Sequence, residues 1–397
     1  MLIIGLIKEA KIPVDNRVAL IPSQCRWLQR NTTIKIVVQG CETRCYKDSE
    51  YLQAGVEVVD DLSHCDILMG IKEVPKELLI PNKIYFFFSH TKKLQPHNQD
   101  LFKMMIEKEI TIIDYECLEH EDGQRMIGFG FFAGIVGAHN GMMCYGKRTG
   151  LFNLDRVYHI KDYRQLINTY FGLKLPAIKI AVTGSGRVAH GIIEVMNMMD
   201  IQEVEPDEFI ERTYSYPVYV HLKSGNLYTH KATEKYKRND FHQHPQQYNC
   251  LFKNYITSTD ILLNGVYWDK DIPRLFEWED VRSEQFNIKT IADITDDYNG
   301  SVPCNIGDTT IQNPVYGVDK NTFEITAPYL PKSIDIMAVG NLPNELPRDA
   351  SRYFGEQLIK FVLEDLRNGG SPTLDKATIL KKGKITEHFS YMKEYGV

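Results

Sequence analysis

Lys72 and His90 are the two side chains best suited to moving protons near neutral pH, because each follows an apolar run. Ile67-Leu68-Met69-Gly70-Ile71 precedes the lysine, and Tyr85-Phe86-Phe87-Phe88-Ser89 precedes the histidine. An amine partly buried in apolar surroundings has its pKa lowered, which suits general acid–base work. Taken singly, such a residue is more often a salt-bridged or hydrogen-bonded structural group than a catalyst. Arg17, in Val14-Asp15-Asn16-Arg17-Val18-Ala19-Leu20-Ile21-Pro22, carries a planar fork that can pair bidentately with a substrate carboxylate.

The strongest local pattern is Ile178-Lys179-Ile180-Ala181-Val182-Thr183-Gly184-Ser185-Gly186-Arg187-Val188-Ala189-His190-Gly191. A β-rich run ends in Gly-x-Gly, and a helical run through Met199 begins at once. Gly184 permits the tight turn, Gly186 lets backbone approach a pyrophosphate, and Ala189 takes the third small position against the strand. With Ser185, Arg187 and Val188 they form a loop whose N–H groups, at a helix start, attract phosphates. This reads as a site for NAD, with NADP possible. Glu205, in Gln202-Glu203-Val204-Glu205-Pro206, stands about twenty residues on, where a carboxylate would take the ribose hydroxyls and favour NAD. Glu203 is the second choice, an ordinary surface glutamate is an equal reading of Glu205, and Arg187 and Arg212 keep NADP open.

The elements that must position these residues follow from periodicity. Strands are expected at Leu2–Ile7, Ile34–Val38, Asp66–Gly70, Lys83–Phe88 and Ile110–Asp114, with helices opened by Pro22 and running from Gln99 to Lys108. A second set is expected at Ile178–Val182, Asp260–Leu263, Thr290–Ile294 and Asp335–Val339. Such alternation implies an α/β fold of two Rossmann-like doubly wound domains with a cleft between them. Between the sets, Gly128–Tyr145 reads as a connecting helix, with Ala133, Gly134, Gly137, Ala138 and Gly141 allowing another backbone close. Tyr214–His244, polar and rich in Tyr and His, reads as an insertion. Ala350–Leu366 reads as an amphipathic helix ended by Gly369-Gly370 and returning to the first domain. The domain assignment is therefore 1–130 plus 344–397 for the substrate domain and 131–343 for the dinucleotide domain.

Composition limits the alternatives. With 397 residues, 43% hydrophobic and 25% charged, the chain has the balance of a soluble globular protein of more than one domain. A net charge of −6 and only short basic runs argue against nucleic acid as a partner. The start, MLIIGLIKEA, lacks the regions of a signal peptide, and no apolar stretch has the length of a membrane span. Eight scattered cysteines fit reduced thiols in the cytoplasm, and no metal site is expected from them or from His242 and His244.

Read together, these segments resemble the alanine dehydrogenase and saccharopine dehydrogenase superfamily, most closely the saccharopine (lysine–ketoglutarate reductase) branch. The resemblance rests on Gly5–Glu9, Arg17–Pro22, Gly70–Pro75, Phe88–Lys93, Asp114–Glu116, Phe129–Gly134, Thr183–Val188, Pro217–Tyr219, Tyr267–Asp269, Ile291–Ile294, Asn299–Ser301 and Asn341–Pro343 through Ser351. It implies a nicotinamide enzyme acting on an amino acid or opine, with Lys72 and His90 as acid–base pair and Arg17 on a carboxylate. Lys93 and Arg125 would be further substrate contacts, Glu73 and Glu116 would tune the site, and Asp297 would face the nicotinamide. Val339 falls on the cofactor side. Saccharopine oxidation to lysine and 2-oxoglutarate is the leading expectation, an alanine-dehydrogenase-like deaminase the second, and a non-catalytic nucleotide-binding subunit the third. The chain departs from the family at Gly340, where the late motif usually carries an aspartate. No separate glutamate-forming domain follows, so a fused bifunctional enzyme is not expected of this polypeptide alone.

Overall fold

The computed structural model describes residues 2–307 and 309–396 and divides into two compact units, Met1–Phe129 with Pro347–Val397, and Gly130–Leu346. The first is built on β1 (Leu2–Leu6), β2 (Ile34–Gln39), β3 (Glu57–Val59), β4 (Ile67–Met69), β5 (Ile84–Phe87) and β6 (Thr111–Asp114), joined late by β17 (Thr378–Lys381) and β18 (Lys384–Ile385). Their order in the sheet is β18-β17-β6-β5-β4-β1-β2-β3. The first six strands pair in parallel, and β17 joins β6 antiparallel. All three residues of β4 are buried, as a parallel strand covered on both faces requires. Helices α1 (Pro22–Asn31), α2 (Asp48–Gln53) and α3 (Gln99–Glu107) cross between strands. Pro22 occupies the first turn of α1, and Gln24 accepts from Ile21 N while donating to Arg352 O at 2.8 Å. The short pair α2 and β3 lacks a readable apolar period and was not foreseen.

The C-terminal helix is less regular than its pattern suggested. An α-helix covers Pro347–Leu358, the turn Ile359–Leu363 widens to π geometry, and α-helix resumes at Glu364–Arg367. Gly369 and Gly370 follow with φ of +92° and +120°, the left-handed backbone that ends the run.

The second unit begins with α4 (Gly130–Thr149) and α5 (Tyr163–Asn168), then β7 (Lys179–Thr183), α6 (Arg187–Met198), β8 (Gln202–Glu203), α7 (Pro206–Glu211) and β9 (Val218–Leu222). A two-stranded ribbon, β10 (Tyr228–His230) and β11 (Tyr248–Cys250), stands apart from the main sheet. The remaining strands are β12 (Ile261–Asn264), β13 (Thr290–Asp293), β14 (Val315–Asp319), β15 (Ile325–Thr326) and β16 (Ser333–Met337). Their order is β15-β14-β16-β13-β12-β7-β9-β8, parallel from β8 to β16 and closed by the antiparallel β14 and β15.

Two expectations are corrected here. The tract Tyr214–His244 is not wholly an insertion: its Val218–Leu222 segment is β9, hydrogen-bonded directly beside β7 and almost fully buried. Only the stretch after it, with the β10–β11 ribbon, leaves the sheet. The helix expected to connect domains is instead packed inside the second unit. A Cβ on Gly134 would lie 2.1 Å from Val188 O, and one on Gly191 would lie 2.0 Å from Phe131 O, so α4 and α6 meet backbone to backbone. Gly137 and Gly141 similarly face Ile294 and Ala292 at the end of β13. Among the described residues no helix is long and apolar enough to cross a membrane.

Substituting Gly191→Ala must push α4 and α6 apart. A loss of about 3 kcal/mol, the upper end for overpacking, is expected in urea unfolding, with Ala189→Gly as a milder control at about 1 kcal/mol.

Candidate active site

In the first unit the carboxyl ends of β1, β4, β5 and β6 each deliver an ionisable residue. Glu9, beyond β1, accepts from Ile71 N at 2.6 Å and Lys72 N at 2.9 Å, so the turn carrying Lys72 is pinned to it. Burial, reinforced by Asp15, pushes the Glu9 carboxyl up to about 8. The Lys72 amine is held below its ordinary range by burial first and then by Arg17, against the opposing pull of Asp15 and Glu73.

His90 follows β5 in left-handed backbone, φ +52°, a conformation costing about 1 kcal/mol or more outside glycine. Its neighbours hold it there. Ser89 and Thr91 are fully buried and hydrogen-bonded to each other at 2.7 Å, and Ser89 N and Oγ both donate to Asp114 Oδ2. Burial pushes the Asp114 carboxyl up to about 6. The imidazole stacks on Phe88 at 6.3 Å, with Nε2 3.9 Å from Glu73 and Nδ1 4.0 Å from Glu116. Burial lowers its pKa despite Glu73, so His90 is uncharged at neutral pH. Lys72, Glu73, His90 and Glu116 thus lie within one another's electrostatic reach.

The basic candidates are differently placed. Arg17 is 3% exposed, with Nε and Nη2 already held by Asp15 at 2.9 and 2.6 Å and its guanidinium 4.1 Å above the Phe129 ring. A ligand carboxylate would meet only the other edge of that fork. Arg125 is paired to Glu116, and Lys11 to Glu73 at 2.7 Å. Lys93 is exposed, while its neighbour Lys92 binds Glu119 at 2.9 Å. Of the three basic candidates, Arg17 and Arg125 are engaged by the chain's own acids, and Lys93 is exposed.

In the second unit, β7 ends at Thr183 and Gly184 turns with φ +103°. Its N–H donates to Leu222 O at 3.1 Å, and His221 Nε2 donates to its carbonyl at 2.8 Å. A Cβ on Gly184 would lie 2.4 Å from Gly265 O, so no side chain fits. Ser185 and Gly186 are exposed, nothing lies within 4 Å of a Cβ built on Gly186, and α6 opens at Arg187 and Val188. This open cradle of N–H groups at a helix start suits a pyrophosphate.

Glu205 stands away from the strand next to β7. It precedes α7 beyond β8, and β8 is separated from β7 by β9. The strand beside β7 is the one whose end reads the adenine ribose in this architecture. That strand is β9, and the residues after it are Lys223 and Ser224. Strand β8, two residues long, intervenes between β7 and β9 in sequence but not in space.

Asp297 is partly exposed in the turn after β13, where Gly300 N donates to its carbonyl at 2.9 Å. Val339 is buried just after β16. A Cβ on Gly340 would lie 2.7 Å from Asp296 Oδ2, so a neighbouring carboxylate occupies the space that a side chain at 340 would need.

The comparisons agree with this architecture. The family model for the alanine dehydrogenase/PNT N-terminal domain matches residues 5–136. Alpha-aminoadipic semialdehyde synthase of Mus musculus is 27% identical over 429 residues, spanning 96% of this chain but 46% of the relative. Saccharopine dehydrogenase (NAD+, L-lysine-forming) of Yarrowia lipolytica is 24% identical over 388 residues, spanning 93% and 94%. A solved L-alanine dehydrogenase superposes with TM-score 0.65 at 15% identity over 99% of both chains, and a transhydrogenase from Sinorhizobium meliloti with 0.58 at 16% over 97% and 98%. The chain is thus similar to the alanine dehydrogenase and saccharopine dehydrogenase families, and it spans about half the length of the first of these relatives.

If Lys223 lies at the ribose, Lys223→Glu raises the Kd for NADPH roughly tenfold and moves NADH by less than about twofold, read by fluorescence titration. A loss of NADH binding in Glu205→Ala, with Lys223→Glu silent, would place the ribose at α7 instead.

Proposed function

We propose that the protein is a nicotinamide-dinucleotide-dependent oxidoreductase of the CH–NH group of an amino-acid substrate, working in the cytoplasm, with saccharopine as the leading candidate. The observation that carries the reading is the pairing of a depressed lysine with a depressed histidine, each within the field of Glu73. NAD supplies a hydride acceptor when bound, with NADP as the alternative, and the Gly184–Val188 loop would hold its pyrophosphate. The eight cysteines are all free, in keeping with a reducing compartment.

In the oxidative direction the Cα–N carbon would lose hydride, and the unprotonated secondary amine, keeping its N–H, becomes a protonated imine. Neutral His90 takes a proton from the attacking water, giving a carbinolamine. Lys72, as ammonium, donates to the departing nitrogen and takes back the carbinolamine hydroxyl proton as the C–N bond breaks, giving lysine and 2-oxoglutarate and leaving His90 to pass its proton to solvent. Buried Glu73 and Glu116 offset the positive charge that passes between the two bases, which lowers the cost of charging them in a low-dielectric site.

The occupied fork of Arg17 favours a second reading. One remaining edge suits a single α-carboxylate, as in a small amino acid deaminated to its keto acid. Saccharopine carries three carboxylates and would need further anchors.

Absorbance of the reduced cofactor, followed with saccharopine, lysine plus 2-oxoglutarate, and alanine plus pyruvate, separates these readings. With the accepted substrate, Lys72→Met and His90→Gln are expected to lower kcat roughly a hundredfold, and the acid limb of the kcat/KM profile should vanish in His90→Gln. That limb arises because protonating His90 removes the base, and its lowered pKa puts the fall on the acid side of the ordinary histidine range. Unchanged kcat in both variants rules out the acid–base assignment.

A further inference from the structure

We infer that Asp293 is a positioning residue for the nucleotide loop: its carboxylate ties the strand end before Gly184 to the turn that carries Asp296 and Asp297. This rests on the reading that the glycine loop binds a dinucleotide.

Thr183, Asn264 and Asp293 are the last residues of β7, β12 and β13, three adjacent parallel strands. The register sets them side by side, Thr183 opposite Asn264 and Asn264 opposite Asp293. All three are fully buried. Their side chains form a continuous row: Thr183 Oγ1 donates to Asn264 Oδ1 at 2.6 Å, and Asn264 Nδ2 donates to Asp293 Oδ1 at 2.8 Å. The row then continues into the next loop. Thr295 Oγ1 donates to Asp293 Oδ1 at 2.8 Å, Asn305 Nδ2 to Oδ2 at 2.9 Å, and Asn264 Nδ2 also reaches Ser301 Oγ at 2.9 Å. Tyr316, on β14, donates to Asn305 Oδ1 at 3.3 Å.

Apolar side chains at these three strand ends would satisfy the fold at lower cost, since burying a carboxylate with hydrogen bonds alone is unfavourable. The cost is visible. Burial pushes the Asp293 carboxyl up to about 6, against the help of Asn264, Asn305 and Thr295, and Asp297 acts in the same upward direction. Because the folded pKa exceeds the unfolded one, this residue removes stability as pH rises from about 4 to about 6, where its ionised form takes over. The ionised form is the one that accepts from all three donors. Protonation turns one acceptor into a donor facing Asn305, and the link between the two loops loosens.

The test uses NADH, whose pyrophosphate does not titrate near pH 6. The Kd by fluorescence is followed between about pH 5 and pH 8, with thermal unfolding in parallel. Wild type should weaken roughly tenfold as pH falls through about 6. Asp293→Asn, which mimics the protonated state, should bind weakly at every pH with a flattened profile, yet unfold no earlier than wild type at pH 8. His221, which bonds Gly184 O and whose pKa burial lowers, contributes to both profiles alike and leaves their difference to Asp293. Thr295→Val removes one donor and should move the wild-type fall to higher pH, keeping the inference testable if Asp293→Asn fails to fold. Absence of NADH binding at every pH overturns the underlying reading. Binding with a profile that neither variant moves overturns the positioning role alone.

Discussion

The second unit depends on the contact in which α4 and α6 touch through their backbones. Val188 O and Phe131 O lie where the Cβ atoms of Gly134 and Gly191 would be, so the crossing exists only because both positions lack a side chain. The contact fixes the axis of α6, and the axis fixes where its first N–H groups point. The same α4 also lies on Ile294 and Ala292 through Gly137 and Gly141. A single helix therefore sets both the start of the glycine loop and the end of β13. Close approach buys positional accuracy that longer side chains, with their rotamer freedom, could not supply.

The first unit reaches accuracy by a different route. Its acids and bases brace one another: Glu9 holds the backbone at Lys72, Asp15 holds Arg17, and Asp114 holds the turn of His90. Two of these carboxyls, Glu9 and Asp114, are buried and pushed upward, so their charge is costly and their geometry correspondingly fixed. The strained backbone at His90 belongs to the same economy of constraint, since two buried hydroxyls and a carboxylate over-determine it.

Much of this was legible in the sequence. The buried parallel strands announce themselves as short apolar runs, and the glycine loop by its spacing before a helix. The stripe of small residues in α4 announced a close backbone approach, though not its partner. Strand order was not legible, because nothing in Gln202–Glu203 says that β8 will lie outside β9. The pairing of Arg17 was hidden for a related reason: Asp15 lies two residues away, and only the fold of that turn decides whether the fork closes on it or opens to a ligand. Thr183, Asn264 and Asp293 each resemble an ordinary polar residue ending a strand. Their meaning comes from register, a relation among distant segments.

The chain's path through the first sheet has a consequence during synthesis. Strand β6 is made before the whole of the second unit, while its antiparallel neighbour β17 emerges only near residues 378–381. Until then Thr111–Asp114, with Ile112 and Ile113 at its centre, presents an open row of backbone donors and acceptors. Such an edge is a template for pairing with another chain. The late strand therefore works as a latch on the nascent fold, and a ribosome that halts before it releases a protein with one adhesive edge.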